Sequence, residues 1–345
     1  MEVNYTALPS GQHNGILISV ILVTNRGLGI LAPAIQCLRE QTLAAKMELL
    51  IVARSGIATV DQLAGLRGFA AVGLVSLEVV GRRGRAAAYA VPFAKGRFVA
   101  LQENHNFGKP DMYERLVESL ADSTAAVSPS VRPANPDNLW GLALYVLVYG
   151  HCAPPLHPQW QTLFPHHSSM YRREVLERFI DHLPSLLERE DDLHKALADN
   201  GLRMRVSPDA TTFHLNEGRW IKCCSDPLSI ARCFAASRAR DWSLSRRVLY
   251  ACLFPAIVGL HLSRLVRTTR RLDETHDKLF QLIPRLFVIA TLFSVGEVAG
   301  YLTRSSKLSE AFEDHEFHVI GRLAGRPIQD PRVQRLLGLL PADAR

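Results

Sequence analysis

The sequence predicts an α/β protein in which a mixed, mainly parallel sheet is sandwiched by helices and followed by an apolar, basic helical region. Three observations predict it. Residues 16–23 form a continuous, β-branched apolar run, the pattern of a strand buried on both faces. Leu31, Ile35, Leu38 and Leu43 then recur at roughly helical spacing before a second strand-like run at 47–53, and strand, helix and strand in that order demand a right-handed crossover. Finally, 248–262 and 286–302 are almost wholly apolar, Glu297 apart, and lie beside a block of arginines.

A length of 345 residues with 48% hydrophobic content suits one large α/β domain with an appendage, or two domains. The formal net charge is +7, unevenly placed. The window 219–271 holds eleven Lys and Arg against Asp226 and Asp241, which leaves the rest of the chain slightly acidic. Such a block suits anionic lipid or nucleic acid. Beside the apolar runs it is read as contact with an anionic membrane surface, and no nucleic acid partner is expected. A solvated basic face is the plainer alternative.

The six cysteines (Cys37, Cys152, Cys223, Cys224, Cys233, Cys252) show no CxxC pair and no histidine at zinc spacing, so they are expected to be reduced. Glu2 and the short apolar run after it give no export signal. The two C-terminal apolar runs fall at or under the length of a bilayer span. A two-span hairpin would put Arg264, Arg267, Arg270, Arg271, Lys278 and Arg285 on the far face, against the positive-inside tendency. Helices lying in or dipping into one leaflet are therefore expected, with a helical subdomain packed on the sheet as the alternative. The expected division is a sheet domain at 1–240, a membrane-associated region at 241–305 and a tail at 306–345.

Between these landmarks the pattern predicts a weaker helix and strand at 60–80, a basic turn at Gly81-Arg-Arg-Gly84, an Ala-rich helix at 85–94 and a strand at 97–102. Residues 111–120 read as helix after Pro110. The Ser-, Pro-, Asp- and Asn-rich stretch 122–138 reads as surface loop, and 139–149 as either strand or short helix. Residues 151–165, with four prolines, read as a loop or lid. Ser168 to Glu174 opens a helix with Ser169 as its cap. The helix at 190–200 carries an acidic first turn and stops at Gly201. Short strands are expected at 203–206 and 211–214, and weak amphipathicity at 333–340.

The strand at 97–102 runs directly into Glu103-Asn104-His105-Asn106. Ligands of open α/β sheets bind at the carboxyl ends of strands, which makes this cluster the candidate site.

Four segments carry a family resemblance. Thr24-Asn25 closes the first strand and is followed by a helix ending Leu38-Arg-Glu-Gln-Thr42. Ala94-Lys-Gly-Arg-Phe-Val-Ala-Leu-Gln-Glu103 leads into the polar cluster. Ser169-Met-Tyr-Arg-Arg-Glu-Val-Leu176 comes next, then Glu190-Asp-Asp-Leu193 with Gly201, Pro208, Ala210 and His214. In this order they resemble the family 2 glycosyltransferases, an inverting group with the GT-A fold. The segments around Arg246-Arg247 and Gly296-Glu-Val-Ala-Gly300 are similar to the tail of membrane-associated bacterial members that act in polysaccharide biosynthesis.

The resemblance implies a nucleotide-sugar donor, a glycan or lipid-linked acceptor, hexosyl transfer with inversion, and a place on the cytoplasmic face of the cell membrane. It implies Glu190, counted back from Leu193, or Asp191, matched by identity, as general base; Asp191 and Asp192 are equally explained as helix-start residues. Donor binding falls to Thr24, Asn25, Arg54, Arg85, Glu103, Asn104 and His105, and the acceptor side to Tyr171 and Arg172. Glu103, His105 and His214 would hold a divalent metal, Mn2+ or Mg2+. The chain departs from the family in three places. Ala53-Arg54-Ser55 stands where a base-holding Asp is usual, Glu103-Asn104-His105 replaces Asp-x-Asp, and Ala87 and Ala88 replace an Arg-Asn pair. An imidazole ligand suits Mn2+ better than Mg2+. Without a metal, Arg54, Arg82, Arg83 and Arg85 would neutralise phosphate.

Two other readings stand beside this one. The altered motifs allow a catalytically silent protein that binds a nucleotide sugar or glycan. Gly27-Leu-Gly-Ile-Leu-Ala32 fits a dinucleotide fingerprint, and Arg54 would suit a 2′-phosphate, as in an NADP-dependent oxidoreductase.

Overall fold

The structure is a computed structural model, and it describes residues 3–8, 15–120, 124–156, 168–303, 320, 322, 328 and 330–341. Most of the expected lid, 157–165, and the stretch 306–319 of the tail lie outside the described residues. The chain divides into two compact units, one of Met1–Arg132, Leu156–His214 and Ile320–Arg345, the other of Pro133–Pro155 and Leu215–Val319.

The first unit begins with β1 (Val3–Ala7) and β2 (Ile18–Thr24). Helix α1 (Ala32–Arg39) leads to β3 (Met47–Arg54), α2 (Val60–Ala64) to β4 (Ala71–Leu77), and α3 (Arg83–Ala88) to β5 (Phe98–Gln102). Then come β6 (Asn106–Gly108), α4 (Met112–Ser119) and β7 (Thr124–Pro133). The chain leaves for α5 (Leu139–Tyr149) and returns as β8 (Met170–Arg172), α6 (Arg173–Glu177), α7 (Leu183–Leu186), α8 (Glu190–Asp199) and β9 (Arg203–His214). The second unit takes over with α9 (Trp220–Arg238), α10 (Leu244–Cys252), α11 (Phe254–Arg271) and α12 (Leu279–Thr303), and α13 (Pro331–Leu337) belongs to the first unit again.

The nine strands form one mixed sheet in the order β1-β4-β3-β2-β5-β8-β7-β9-β6. Its heart, β4-β3-β2-β5, is parallel, as the strand–helix–strand pattern requires. All seven residues of β2 are buried. Each large apolar side chain in it contributes about 1.5–3 kcal/mol relative to exposure. The parallel register, Ile18 beside both Met47 and Phe98, aligns the carboxyl ends of β2, β3 and β5 along one edge.

Several expectations are corrected. The Ser- and Pro-rich stretch expected as surface loop holds the ten-residue strand β7, nearly all of it buried. Its small side chains suit a crowded sheet interior, and the Ser130 hydroxyl donates to the Ala210 carbonyl at 2.8 Å, so burial leaves it satisfied. The two short strands expected around Ser207-Pro-Asp209 are one twelve-residue strand, β9. Ser169 caps no helix: Met170–Arg172 pairs with β5 and β7, and α6 starts only at Arg173 with no side-chain cap. The Ala-rich helix is short, ending at Ala88 before a 3-10 turn. The ambiguous 139–149 is helix, started by the Asn138 side chain accepting the Gly141 N–H.

In the second unit α9 and α12 pack closely. A Cβ at Gly296 would lie 2.3 Å from the Leu228 carbonyl oxygen, and one at Gly300 2.4 Å from that of Arg232, so only glycine fits there. The residues 276–303 are long and apolar enough to cross a membrane, by length and composition only. The apolar run expected at 248–262 is not one straight helix, because α10 and α11 meet at a 63° bend.

Candidate functional site

The polar cluster after β5 is held together by the strand that follows it. The Gln102 side-chain amide donates to the carbonyls of Glu103 at 2.9 Å and Asn106 at 2.7 Å, closing a tight turn over 103–105. Tyr113 of α4 donates its hydroxyl to Gln102 Oε1 at 2.8 Å and fixes the amide's orientation. After the turn, β6 pairs antiparallel with β9 in a register that sets Asn106 opposite His214. Thr212 donates its hydroxyl to Asn106 Oδ1, and Asn106 Nδ2 donates to Ser168 Oγ at 2.9 Å. More than a hundred residues of sequence separation are thereby closed, and His214 arrives beside Glu103 and His105.

Glu103, His105 and His214 are all buried, and one ligand atom from each lies within 4.8 Å of the others. The Nε2 atoms of His105 and His214 are each 3.6 Å from Glu103 Oε2. The two imidazoles meet edge to face with ring centres 4.7 Å apart. Glu103 Oε1 takes the Arg83 guanidinium at 2.8 Å. His105 Nδ1 is 2.9 Å from Asn104 Oδ1, so Asn104 orients the ring and leaves Nε2 to face the carboxylate. One carboxylate oxygen and two imidazole nitrogens fit a divalent transition ion such as Mn2+ better than Mg2+, which prefers an all-oxygen shell.

The expected general base stands at the start of α8. Glu190 is buried, while Asp191 and Asp192 are half-buried and Asp192 accepts from Arg189 at 2.8 Å. Tyr171, fully buried in β8, is 3.0 Å from His194 Nε2. Burial holds its phenol well above the usual range, the Glu190 charge raises it further, and Arg83 opposes the rise. The charges of Glu190 and Arg83 thus both reach the Tyr171 hydroxyl. Arg172 is buried too, donating to the carbonyls of Thr124 at 2.9 Å and Leu120 at 3.4 Å. Both side chains are thus held inside the sheet.

The remaining expected residues divide. Thr24 ends β2 in a turn, exchanging hydrogen bonds with the Arg26 backbone. Asn25 is half-buried beside it and Arg54 is exposed at the end of β3, both on the edge where the parallel strands finish. Three of the four arginines expected to neutralise phosphate are paired: Arg83 with Glu103, and Arg82 and Arg85 with Glu188 at 3.7 and 3.9 Å. That clamp on Glu188 lies two residues before Glu190. Gly84 makes it possible, since a Cβ there would sit 2.0 Å from the Leu187 carbonyl oxygen. Gly29, the middle glycine of the dinucleotide-like motif, is explained by packing, because a Cβ there would lie 2.8 Å from Pro341. Gln102, Tyr113, Thr212 and His194 had no role in the sequence reading, since each acts through a pairing that only the fold creates.

The chain matches no protein-family model and no curated protein. It is similar to the solved structure of TarS 1-349 from S. aureus in complex with UDP, with 14% identity, covering 81% of this chain and 90% of that one at a TM-score of 0.44. It is also similar to the mannosyltransferase PcManGT from Pyrobaculum calidifontis in complex with GDP-Man and Mn2+, with 16% identity, covering 96% of this chain and 87% of that one at a TM-score of 0.46. The UDP-GlcNAc complex of TarS 1-349 is 13% identical, covering 82% and 90% at a TM-score of 0.42. Likenesses this distant carry neither substrate nor residue roles to this chain.

Proposed function

We propose that the protein is an inverting glycosyltransferase of the family 2 type. It moves a hexose or related sugar from a nucleotide donor to a glycan or lipid-linked acceptor at the cytoplasmic face of a membrane. The observation that carries the reading is the convergence of Glu103, His105 and His214 where the parallel strands of the sheet end, with Glu190 buried at the start of α8.

In this reading Glu190 takes the proton from the acceptor hydroxyl as its oxygen attacks the anomeric carbon. The bond between that carbon and the diphosphate oxygen breaks, the nucleoside diphosphate leaves, and attack from the opposite face inverts the centre. Asp191 is the alternative base. Thr24, Asn25 and Arg54 contact the nucleotide, and the half-exposed Arg85 adds positive charge for phosphate. Glu103, His105 and His214 would hold a divalent ion that offsets charge on the leaving diphosphate. Arg83 holds one oxygen of Glu103 and leaves the other facing the two imidazoles. Tyr171 and His194 hold the start of α8 against the sheet. The basic, apolar second unit supplies membrane contact.

A thermal-shift panel of sugar nucleotides with and without Mn2+ tests the reading. Stabilisation by one of them, enhanced by Mn2+ and followed by turnover, is expected. A shift with NADPH alone would sink it, and binding without turnover of any donor would leave a silent nucleotide-sugar binding protein.

A further inference from the structure

The second unit exposes an unusual stretch of chain. Residues 242–272 contain six arginines and no acid. Helix α10 buries no residue at all, and α11 buries only Leu265 and Thr269. Around their 63° junction Val248, Leu249, Leu253 and Leu260 are exposed, at 43, 56, 43 and 45%, in an apolar run without Asp, Glu, Lys or Arg side chains. A soluble helix pair turns its apolar stripe toward a core. Here Tyr250 and His261 face α12, and a second apolar stripe with Leu249, Leu253 and Leu260 is left exposed.

The outer stripe of α11 is ordered along its length. Leu253, Ala256 and Leu260 continue at helical spacing into Arg264, Arg267 and Arg270, all exposed. On the other arm the apolar residues give way to Arg246. The elbow is therefore an apolar tip with a basic collar on both arms. From Leu253 to Arg264 the helix rises about 16 Å, close to half of a hydrocarbon core about 30 Å thick.

We propose that the α10–α11 elbow is a re-entrant wedge: its tip, around Cys252 and Leu253, enters the acyl region of one anionic leaflet, and the collar arginines rest among the headgroups. This rests on the membrane reading above and adds the element and the depth to it. A span would need the arginines to cross; a wedge keeps them on one side.

Cys252 is exposed and Cys224 half-buried, while the other four cysteines are buried, so a Cys224→Ser protein can be labelled at Cys252 with an environment-sensitive fluorophore. With mixed phosphatidylglycerol–phosphatidylcholine vesicles the expected result is a blue shift, a several-fold rise in emission and quenching by acyl-chain spin labels, all absent with phosphatidylcholine alone. Leu253→Asp with Leu260→Asp, both at exposed positions, should cut vesicle binding at least tenfold with an unchanged circular dichroism spectrum. Pelleting with vesicles while the Cys252 probe stays aqueous overturns the wedge and leaves the membrane reading standing. No pelleting at all overturns both. A lipid-free dimer that Leu253→Asp dissociates also overturns the wedge, since the tip would then be covered by a second copy.

Discussion

Arg83 holds one oxygen of Glu103 at 2.8 Å while the other oxygen faces the Nε2 atoms of His105 and His214 at 3.6 Å. The carboxylate is thus divided between a fixed cation and a ligand pocket. Removing the cation should loosen the ligand without deleting it. Arg83→Gln is expected to weaken Mn2+ binding, read by calorimetry, by about 10–100-fold. An unchanged affinity would mean that Arg83 serves the donor phosphates alone.

The two histidines should act as a pair. His105→Ala and His214→Ala are each expected to abolish the rise in melting temperature on adding Mn2+ and the fall on adding chelator. If His105→Ala keeps the full metal response, the site works through its arginines instead.

Glu190→Gln should lower turnover by about 10²–10⁴-fold with donor-induced thermal stabilisation retained. Asp191→Asn should have a far smaller effect, because Asp191 is half-buried and suited to the positive end of α8. The reverse ranking would move the base to Asp191.

Gly84 allows α3 to touch the Leu187 backbone. Gly84→Ala has no room for its methyl group and should cost about 1–3 kcal/mol in denaturant unfolding. It should also lower activity beyond that loss, since Arg82, Arg83 and Arg85 move with the helix. Wild-type turnover in the variant would uncouple the arginine turn from the chemistry.

Asp226, buried in α9, has its carboxyl raised from 3.8 to about 6, chiefly by burial, with Lys222 and Ser225 opposing and Glu217 adding to the rise. The folded form therefore keeps its proton between about pH 4 and 6 while the unfolded chain has lost it. Stability falls as pH rises across that window, by up to about 3 kcal/mol, and stays lower above it. Asp226→Asn is expected to raise the melting temperature at pH 7 and to flatten this slope. A lower melting temperature at pH 7 would show that the charged carboxylate is stabilising.

The parallel heart of the sheet was legible because β2 and β3 are buried on both faces, and burial of that kind leaves an unbroken apolar run in the sequence. β7 was not, because a strand packed with Ser, Ala and Pro shares its composition with a loop, and its hydroxyls find partners only across the sheet. Glu103, His105 and His214 were readable as chemistry. Their meeting was not, since it depends on β6, three residues long, and on the Gln102 and Asn106 amides. The arginines at 82–85 showed their charge but not their carboxylate partners, and Tyr171 and Arg172 showed polar groups without the burial that takes them off the surface.

Arg332 in α13 donates to Glu40 at 2.9 Å and to the Gly108 carbonyl at 2.6 Å, and Arg335 donates to Glu40 at 2.8 Å, so the last helix is fastened to the first unit. During synthesis the sheet unit therefore cannot acquire its final piece until all of 215–319 has left the ribosome. The apolar, arginine-rich segment is therefore made before the unit upstream of it can close. A stop codon placed after α12 would yield a protein whose α1 lacks its cover.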